Sequence, residues 1–119
     1  MAQVLVVDDD DSIRFLVREE LSLDGHSVRT APDGLSGLRA VRESTPDVVV
    51  LDVKMPGMGG LEVLRVLKAA HPALPVLLFT AYGDYRAEAE ALGADAYFVK
   101  SANLAPLKEA ILRAVTREN

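Results

Sequence analysis

Short apolar runs alternate with longer segments of helical period along the chain, and this alternation constrains the fold more than any other feature. The apolar runs cover residues 4–7, 28–30, 48–51, 76–79 and 97–99. The segments of helical period cover roughly residues 11–23, 33–43, 59–70, 84–92 and 103–117. Five strand–helix units in strict alternation predict an α/β fold, in which a parallel sheet is covered by helices on both faces.

Turn and capping residues support these boundaries. Gly25 and Gly93 can adopt the left-handed conformation that often follows a helix, here the first and the fourth. Asp33 and Asn103 are predicted to cap the amino-terminal ends of the second and fifth helices, because their side chains can accept hydrogen bonds from the free amides there.

The length of 119 residues suits one domain that can bury a core without disulfides. The chain has no cysteine, which excludes disulfides and thiolate metal sites. No apolar run approaches the ~20 residues needed to cross a bilayer, and the first residues lack the basic start of a signal peptide. We therefore expect a cytoplasmic protein that makes no contact with a membrane.

The charge balance is acidic, with a formal net charge of −5. Affinity for nucleic acid depends largely on lysine and arginine side chains that neutralise phosphates. Direct binding of nucleic acid by this domain is therefore not expected, and an acidic cluster would suit a cation better.

Acidic, hydroxyl and amine side chains stand where four of the predicted strands end. In chain order they are Asp8, Asp9, Asp10, Asp52, Thr80 and Lys100. Ligands of open parallel sheets bind beyond the carboxyl ends of the strands, and these ends share one edge. Each residue alone has an ordinary explanation; Asp10 or Asp11, for example, can cap the first helix. Their joint placement indicates a site.

The chemistry of such a group is specific. Carboxylates held close together repel each other, so they either keep protons or bind a cation. Oxygen ligands favour Mg²⁺, which retains waters and recruits phosphate oxygens. An aspartate beside that ion can attack phosphorus and become an acyl phosphate, while an amine and a hydroxyl stabilise the phosphoryl oxygens.

Four segments resemble, in order and spacing, the landmarks of response regulator receiver domains. They are VLVVDDDDSIRFL, VVVLDVKMPGMGGLEVL, VLLFTAYGD and GADAYFVK, and together they span nearly the whole chain. The resemblance implies a single receiver domain over residues 1–119. It also implies a flavodoxin-like, doubly wound fold whose five-stranded parallel sheet has the order 2-1-3-4-5.

The resemblance also implies roles for individual residues. Asp52 matches the phosphoacceptor, and Asp8 and Asp9 match the acidic pair, with Asp9 as the direct ligand of Mg²⁺ (or Mn²⁺). The backbone carbonyl of Lys54 would complete the protein's share of the metal ligands. A histidine kinase or histidine phosphotransferase would donate the phosphoryl group, and the domain would act as a signalling switch rather than as an enzyme.

Further residues match the parts that respond to phosphorylation. By resemblance, Thr80 would bond a phosphoryl oxygen, Lys100 would pair with it, and Tyr97 would change rotamer on activation. The face made by the fourth helix, fifth strand and fifth helix would then bind a downstream protein. By resemblance, Lys54 and Tyr82 would flank the path of the hydrolysing water, and a bulky tyrosine there predicts slow loss of the phosphoryl group.

Three features depart from the family's usual pattern. Ser101 follows Lys100 where proline is usual, and we expect a trans bond because a cis bond before a non-proline residue costs roughly 3 kcal/mol. The stretch over residues 80–100 is about two residues shorter than usual, so the fourth helix is expected to be short or shifted. Phe15 stands at a usually polar position of the first helix.

Phe15 is predicted to point away from the sheet, which Ile13, Leu16, Val17 and Leu21 should face. An exposed aromatic beside charges is typical of an interface anchor, although single exposed apolar residues are also common. We therefore predict that Phe15 helps to dock the phosphodonor protein.

Other functions of chains with this pattern fit the residues less well. A flavin mononucleotide carrier of the same architecture would need a glycine- and hydroxyl-rich loop where the four aspartates stand. A phosphatase of the haloacid dehalogenase type would need an acid where Lys54 stands. A pseudo-receiver that serves only as an interaction module is a further alternative, and the presence of Asp9, Asp52, Thr80 and Lys100 argues against it. Addition of one phosphoryl group to Asp52 by a small phosphodonor would separate these alternatives.

Some conspicuous residues have ordinary structural explanations. The glycines around Pro56 match no nucleotide-binding loop and are interpreted as a turn before the third helix. His26 and His71 lack metal-ligand spacing and are predicted to lie on the surface or in loops. Met55 and Met58 are predicted to pack against the core.

Overall fold

The computed structural model describes residues 2–116, in which five strands alternate with five helices. The elements are β1 (Gln3–Val7), α1 (Asp11–Leu23), β2 (Ser27–Ala31), α2 (Gly34–Glu43), β3 (Val48–Leu51), α3 (Gly60–Ala70), β4 (Val76–Thr80), α4 (Arg86–Ala91), β5 (Ala96–Val99) and α5 (Ala105–Thr116). All strand pairs are parallel, and the order across the sheet is β2-β1-β3-β4-β5. The predicted fold and strand order are confirmed.

The sheet separates two hydrophobic clusters, and alternate side chains of each strand enter one or the other. Leu5 and Val7 of β1 lie in the cluster beneath α2, α3 and α4. Val4 and Val6 lie in the cluster beneath α1 and α5. Both faces are thus covered, which explains why β3 is buried along its whole length.

Capping residues start and stop the helices largely where the sequence predicts. Asp10 caps α1, since its carboxylate accepts hydrogen bonds from the amides of Ser12 and Ile13. Asp33 caps α2 and accepts a bond of 2.8 Å from the amide of Ser36. Gly25 and Gly93 have φ angles of 90° and 97°, the left-handed conformation that glycine adopts at low cost.

The last two helices differ slightly from their predicted bounds. α4 spans Arg86–Ala91, so the expectation of a short helix is confirmed. α5 begins at Ala105, and the Asn103 side chain accepts a hydrogen bond of 3.0 Å from the amide of Ala105. The predicted end of this helix at residue 117 lies outside the described residues. The peptide bonds of residues 2–116 are all trans, including Lys100–Ser101.

His26 lies in the loop between α1 and β2, as one of the two predicted alternatives has it, but it is not a surface residue. Its side chain is buried, and Nδ1 accepts a hydrogen bond of 3.1 Å from the amide of Ala2. The turn at Gly25 places His26 directly before β2, beside the start of β1. The imidazole therefore satisfies an amide that the parallel ladder leaves free. His71 is half-buried in the loop after α3, as predicted.

The predicted apolar stripe of α1 needs one correction. Val17 and Leu21 are fully buried against the sheet, and Ile13 packs at the edge of the same cluster. Leu16, however, is 43% exposed and lines a cleft towards Leu104. The α5 helix covers the α1 face that carries Val17 and Leu21 but leaves the Leu16 side open.

Both methionines pack as predicted, Met55 as a buried residue and Met58 at the border of the cluster beneath α2 and α3. Within residues 2–116, no helix combines the length and the apolar composition needed to cross a membrane.

Candidate functional site

The parallel ladder brings the predicted acidic residues to one edge of the sheet. Asp8 extends β1, because its amide donates to the carbonyl of Ala31 at 3.1 Å. The amide of Asp52 likewise donates to the carbonyl of Val7 at 3.0 Å. One carboxylate oxygen from each of Asp8, Asp9 and Asp52 lies within 4.8 Å of the others.

The three carboxylates differ in their surroundings. Asp8 and Asp52 are buried, whereas Asp9 is exposed. Asp8 accepts a hydrogen bond of 2.9 Å from the amide of Asp10, and Asp52 accepts one of 2.8 Å from Val53. Burial raises the pKa of Asp8, and repulsion by Asp52 adds to the rise, against hydrogen bonds from Lys100 and Asp10.

Lys100 supplies the positive charge of the site. Its Nζ lies 2.8 Å from Asp8 Oδ2 and 3.3 Å from Asp52 Oδ2. Burial opposes the charged form, but the two acids outweigh it and raise the pKa of Lys100. The backbone amide of Lys100 donates to the carbonyl of Thr80 at 2.7 Å, which holds the lysine at the end of β5.

A close backbone contact holds Asp52 in place. Gly60, the first residue of α3, packs so tightly that a Cβ there would lie 1.9 Å from the carbonyl oxygen of Asp52. Its amide donates to the carbonyl of Val53 at 2.7 Å. The turn that precedes α3, with Gly57 at a φ of 76°, therefore folds the helix start against the site. This confirms the interpretation of the glycines as a turn.

Thr80 and Tyr97 lie on β4 and β5, the two strands beyond β3 in the sheet. Thr80 is fully buried at the end of β4, the neighbour of β3. Tyr97 is 4% exposed, and its hydroxyl donates a hydrogen bond to the backbone carbonyl of Tyr82. Burial raises the pKa of the Tyr97 phenol. The guanidinium of Arg86 lies over its ring, 4.9 Å from the centroid.

The ammonium of Lys54, two residues after Asp52, lies near the rings of Tyr82 and Tyr85. Lys54 Nζ lies 5.9 Å from the ring centroid of Tyr82 and 5.5 Å from that of Tyr85. A hydrogen bond to Tyr85 raises the pKa of Lys54. Tyr85 was not predicted from the sequence. Its only signal is an aromatic residue in the loop after Thr80, and no spacing rule connects that position to Lys54.

Phe15 and Arg14 lie on α1, the helix that follows the acidic run. Phe15 is 59% exposed, as predicted, and the guanidinium of Arg18 lies 5.9 Å from its ring centroid. Arg14 was also missed. Its guanidinium donates to the carbonyl of Asp8 at 2.6 Å and pairs with Asp11. The sequence signal that could have indicated this role is a cationic residue one helical turn after the acidic run.

The donor set fits a hard divalent cation, which prefers oxygen ligands. Asp8, Asp9 and Asp52 would hold such an ion, and Asp9 is the most accessible of the three. Lys100 now neutralises part of the charge that the ion would share.

The family model of the response regulator receiver domain matches residues 4–112. The chain therefore belongs to the response regulator receiver family. Members of this family are signalling switches of two-component systems, phosphorylated by histidine kinases or phosphotransferases. The cluster of Asp8, Asp9 and Asp52 is typical of the phosphorylation site of such domains.

Relatives of different overall length share this domain. Sporulation initiation phosphotransferase F of Bacillus subtilis (strain 168) is 36% identical over 111 residues, which cover 92% of this chain and 90% of that protein. Response regulator MprA of Mycobacterium sp. (strain KMS) is 43% identical over 100 residues, which cover 82% of this chain and 44% of that protein. The chain thus spans most of the first relative and less than half of the second.

Solved structures agree with this assignment. The response regulator TrrA from Thermotoga maritima, in complex with Mg²⁺ and BeF, has a TM-score of 0.91 at 38% identity, covering 96% of this chain and 99% of that one. A receiver domain protein from Clostridium thermocellum has a TM-score of 0.92 at 34% identity, covering 99% and 97%. The flavodoxin-like fold is thus confirmed.

Proposed function

We propose that Asp52 is the phosphoacceptor of this receiver domain. The observation that carries the proposal is the placement of its carboxylate. One oxygen is held by the amide of Val53, and the other lies 3.3 Å from the ammonium of Lys100. The second oxygen attacks phosphorus of a phosphohistidine, the phosphorus–nitrogen bond breaks, and the leaving imidazole nitrogen keeps the electron pair and takes a proton from solvent.

Asp8, Asp9 and Asp52 would hold Mg²⁺ or Mn²⁺, with the backbone carbonyl of Lys54 as a further ligand. When bound, the cation neutralises charge on the transferring phosphoryl group. Binding without phosphate is expected to be weak, because waters fill most of the ion's shell. The convergence of three carboxylate oxygens supports this proposal.

Lys100 and Thr80 would stabilise the phosphoryl oxygens once the group is on Asp52. Lys100 already reaches Asp52, so a small movement of its flexible side chain would bring the ammonium to a phosphoryl oxygen. Thr80 offers a hydroxyl at the neighbouring strand end. Preorganised donors of this kind are the usual source of charge stabilisation in group transfer.

Phosphorylation would switch the face made by α4, β5 and α5. The new group adds close to two negative charges and draws the Thr80 hydroxyl towards it. Tyr97 would move into the space that Thr80 leaves; its hydroxyl already bonds the backbone carbonyl of Tyr82, in the loop between β4 and α4. Beryllofluoride should therefore shift the backbone resonances of this face, and unchanged resonances would contradict the proposal.

The partners follow from this scheme. A histidine kinase or histidine phosphotransferase donates the phosphoryl group, and Phe15 forms part of its docking surface. An unidentified downstream protein binds the switched face. Residues 1–119 form one receiver domain in the cytoplasm, which binds no nucleic acid itself and catalyses only its own phosphorylation and dephosphorylation.

The phosphoryl group is expected to persist. Lys54 follows Asp52 by two residues, and its ammonium lies 5.9 Å from the centroid of the Tyr82 ring. By resemblance both side chains would flank the path of the hydrolysing water, and a bulky tyrosine there would slow its attack. Tyr82→Ala should accelerate hydrolysis, and an unchanged rate would exclude shielding by Tyr82.

Incubation with acetyl phosphate and Mg²⁺ tests the assignment of Asp52. Intact-protein mass spectrometry should show one added phosphoryl group in the wild type and none in Asp52→Asn, with a sharply reduced yield in Asp9→Asn. Both variants must remain folded, as judged by their intrinsic fluorescence or by a cooperative thermal unfolding transition. Wild-type labelling of Asp52→Asn would overturn the assignment.

A further inference from the structure

Arg14 ties the first turn of α1 to the backbone of the acidic edge. Its guanidinium donates a hydrogen bond of 2.6 Å to the backbone carbonyl of Asp8 and pairs with the carboxylate of Asp11. The Arg14 side chain is only 18% exposed, whereas that of Asp11 is 91% exposed. The ion pair with Asp11 is therefore a surface contact that adds little, and the contact with Asp8 is the more sheltered of the two.

Asp8 has a partner at each of its polar groups. Its amide donates to the carbonyl of Ala31, and its carboxylate accepts a bond from the amide of Asp10 and pairs with Lys100. Arg14 supplies the remaining partner, on the carbonyl oxygen. Among residues 2–116, no backbone amide donates to this oxygen, because β1 has ended and α1 has not yet begun. The guanidinium is thus what holds this carbonyl in its direction.

The carbonyl of Asp8 matters for Asp9 because the two residues share one peptide unit. A peptide unit is planar, so fixing its oxygen also fixes the direction in which the Asp9 backbone continues. The Asp9 carboxylate is exposed, and no hydrogen bond or ion pair within residues 2–116 holds it. Its place within 4.8 Å of the carboxylates of Asp8 and Asp52 therefore depends on the backbone.

Helix stability explains only part of this arrangement. An acid and an arginine three residues apart commonly pair on the surface of a helix, which accounts for Arg14 beside Asp11. It does not account for a guanidinium that reaches back past the start of α1 to a carbonyl of the acidic edge.

We propose that Arg14 is a positioning residue for the divalent cation, because it orients the peptide unit between Asp8 and Asp9 so that the Asp9 carboxylate meets those of Asp8 and Asp52. This rests on the proposed cation site at these three acids. Arg14 acts through the backbone and is not itself a ligand. Loss of its hydrogen bond lets the peptide unit rotate, which takes Asp9 out of the ligand set for part of the time and weakens binding of the cation.

Charge and geometry predict opposite effects of removing Arg14. A positive charge near the acids repels a divalent cation, so neutralising Arg14 would strengthen binding if charge alone mattered. If Arg14 holds the peptide unit, the same change weakens binding. The sign of the change in affinity therefore separates the two explanations.

The test measures the affinity for Mg²⁺ without any phosphodonor, in the wild type, Arg14→Met and Arg14→Lys. Amide resonances of isotope-labelled protein are followed during titration with magnesium chloride at constant ionic strength. Arg18→Met is the matched control, since it removes a cation one turn further along α1, where Arg18 lies against the ring of Phe15. Native resonances report only folded molecules, so a general loss of stability does not enter the dissociation constant.

Arg14→Met should weaken Mg²⁺ binding about tenfold, the lower end of the range for residues that orient a metal ligand. Arg14→Lys should bind Mg²⁺ more tightly than Arg14→Met, because an ammonium can still donate to the Asp8 carbonyl. Arg18→Met should match the wild type. Labelling of Asp52 by acetyl phosphate should follow the same order at low Mg²⁺, and its rate in Arg14→Met should approach that of the wild type at saturating Mg²⁺.

Unchanged or tighter Mg²⁺ binding in Arg14→Met would overturn the positioning role. Weaker binding in Arg14→Lys than in Arg14→Met would also overturn it, since charge alone predicts that order. A wild type that binds Mg²⁺ but accepts no phosphoryl group would overturn the proposed role of Asp52 and not that of Arg14. If the resonances of the acidic edge do not respond to Mg²⁺ in the wild type, the proposed cation site and the positioning role fall together.

Discussion

Lys100 is shared unequally by two buried carboxylates, with its ammonium 2.8 Å from Asp8 and 3.3 Å from Asp52. One cation therefore offsets two buried acids, and the exposed Asp9 adds a third acid to the same edge. The excess of negative charge suits a divalent cation and a phosphoryl group, but it costs stability while neither is bound.

Removing this shared cation should destabilise the fold. Lys100→Met leaves Asp8 and Asp52 without their counter-charge, at a cost of about 2 kcal/mol in the free energy of unfolding. Urea denaturation at neutral pH measures the difference. Lys108→Met is the control, because Lys108 pairs with Glu20 and Asp24 near the surface and should matter far less. Equal losses in the two variants would contradict the charge argument.

The pH dependence of stability should reveal Asp8. Its folded pKa is raised above the ordinary 3.8, so the folded state holds a proton that the unfolded state has already released. Stability therefore falls as pH rises from about 4 through the folded pKa of Asp8. The Asp8→Asn variant has no carboxyl group to ionise at this position. In the absence of divalent cation, its free energy of unfolding should therefore rise relative to that of the wild type as pH rises towards 7. A constant difference across that pH range would argue against a raised pKa.

The buried His26 should contribute more to the free energy of unfolding than the half-buried His71. His26→Ala removes a buried ring and leaves the amide of Ala2 without its acceptor, which should cost about 2 kcal/mol of unfolding free energy. His71→Ala, in the loop after α3, should cost clearly less. The midpoints of urea denaturation compare the two, and a smaller effect at His26 would contradict the role assigned to its hydrogen bond.

Docking of the phosphodonor protein should depend on Phe15. Phe15→Ala should slow transfer from the cognate phosphohistidine protein while leaving labelling by acetyl phosphate intact. Leu23→Ala is the matched control, since Leu23 is 81% exposed at the far end of the same helix. Equal loss with both donors would indicate a folding defect, and no loss with either would end the docking proposal.

Much of the fold could be predicted from the sequence because it depends on local patterns. The helical spacing of apolar residues and the capping residues predicted the positions of α1 and α2. Capping is local, because Asp10 and Asp33 accept hydrogen bonds from amides within one turn. The meeting of Asp8, Asp52 and Lys100 followed from parallel strands that end at one edge. The strand order itself came from the family resemblance, because periodicity alone does not order strands.

The features that could not be predicted from the sequence depend on contacts between segments that are distant along the chain. His26 is buried because the start of β2 lies against the start of β1, a register that its own neighbours in sequence do not reveal. Leu16 is exposed because α5 covers only part of α1. Tyr85 meets Lys54 through the conformations of two loops, and no hydrophobic period describes these.

The central claim is that Asp52 carries the phosphoryl group, and chemical mapping of the modified residue tests it most directly. Borohydride reduces an aspartyl phosphate to homoserine, which tandem mass spectrometry locates in the digested protein. After labelling with acetyl phosphate and Mg²⁺, we predict homoserine at position 52 and nowhere else in the chain. Homoserine at position 8 or 9 with Asp52 unmodified, or no reduced residue at all, would contradict the account.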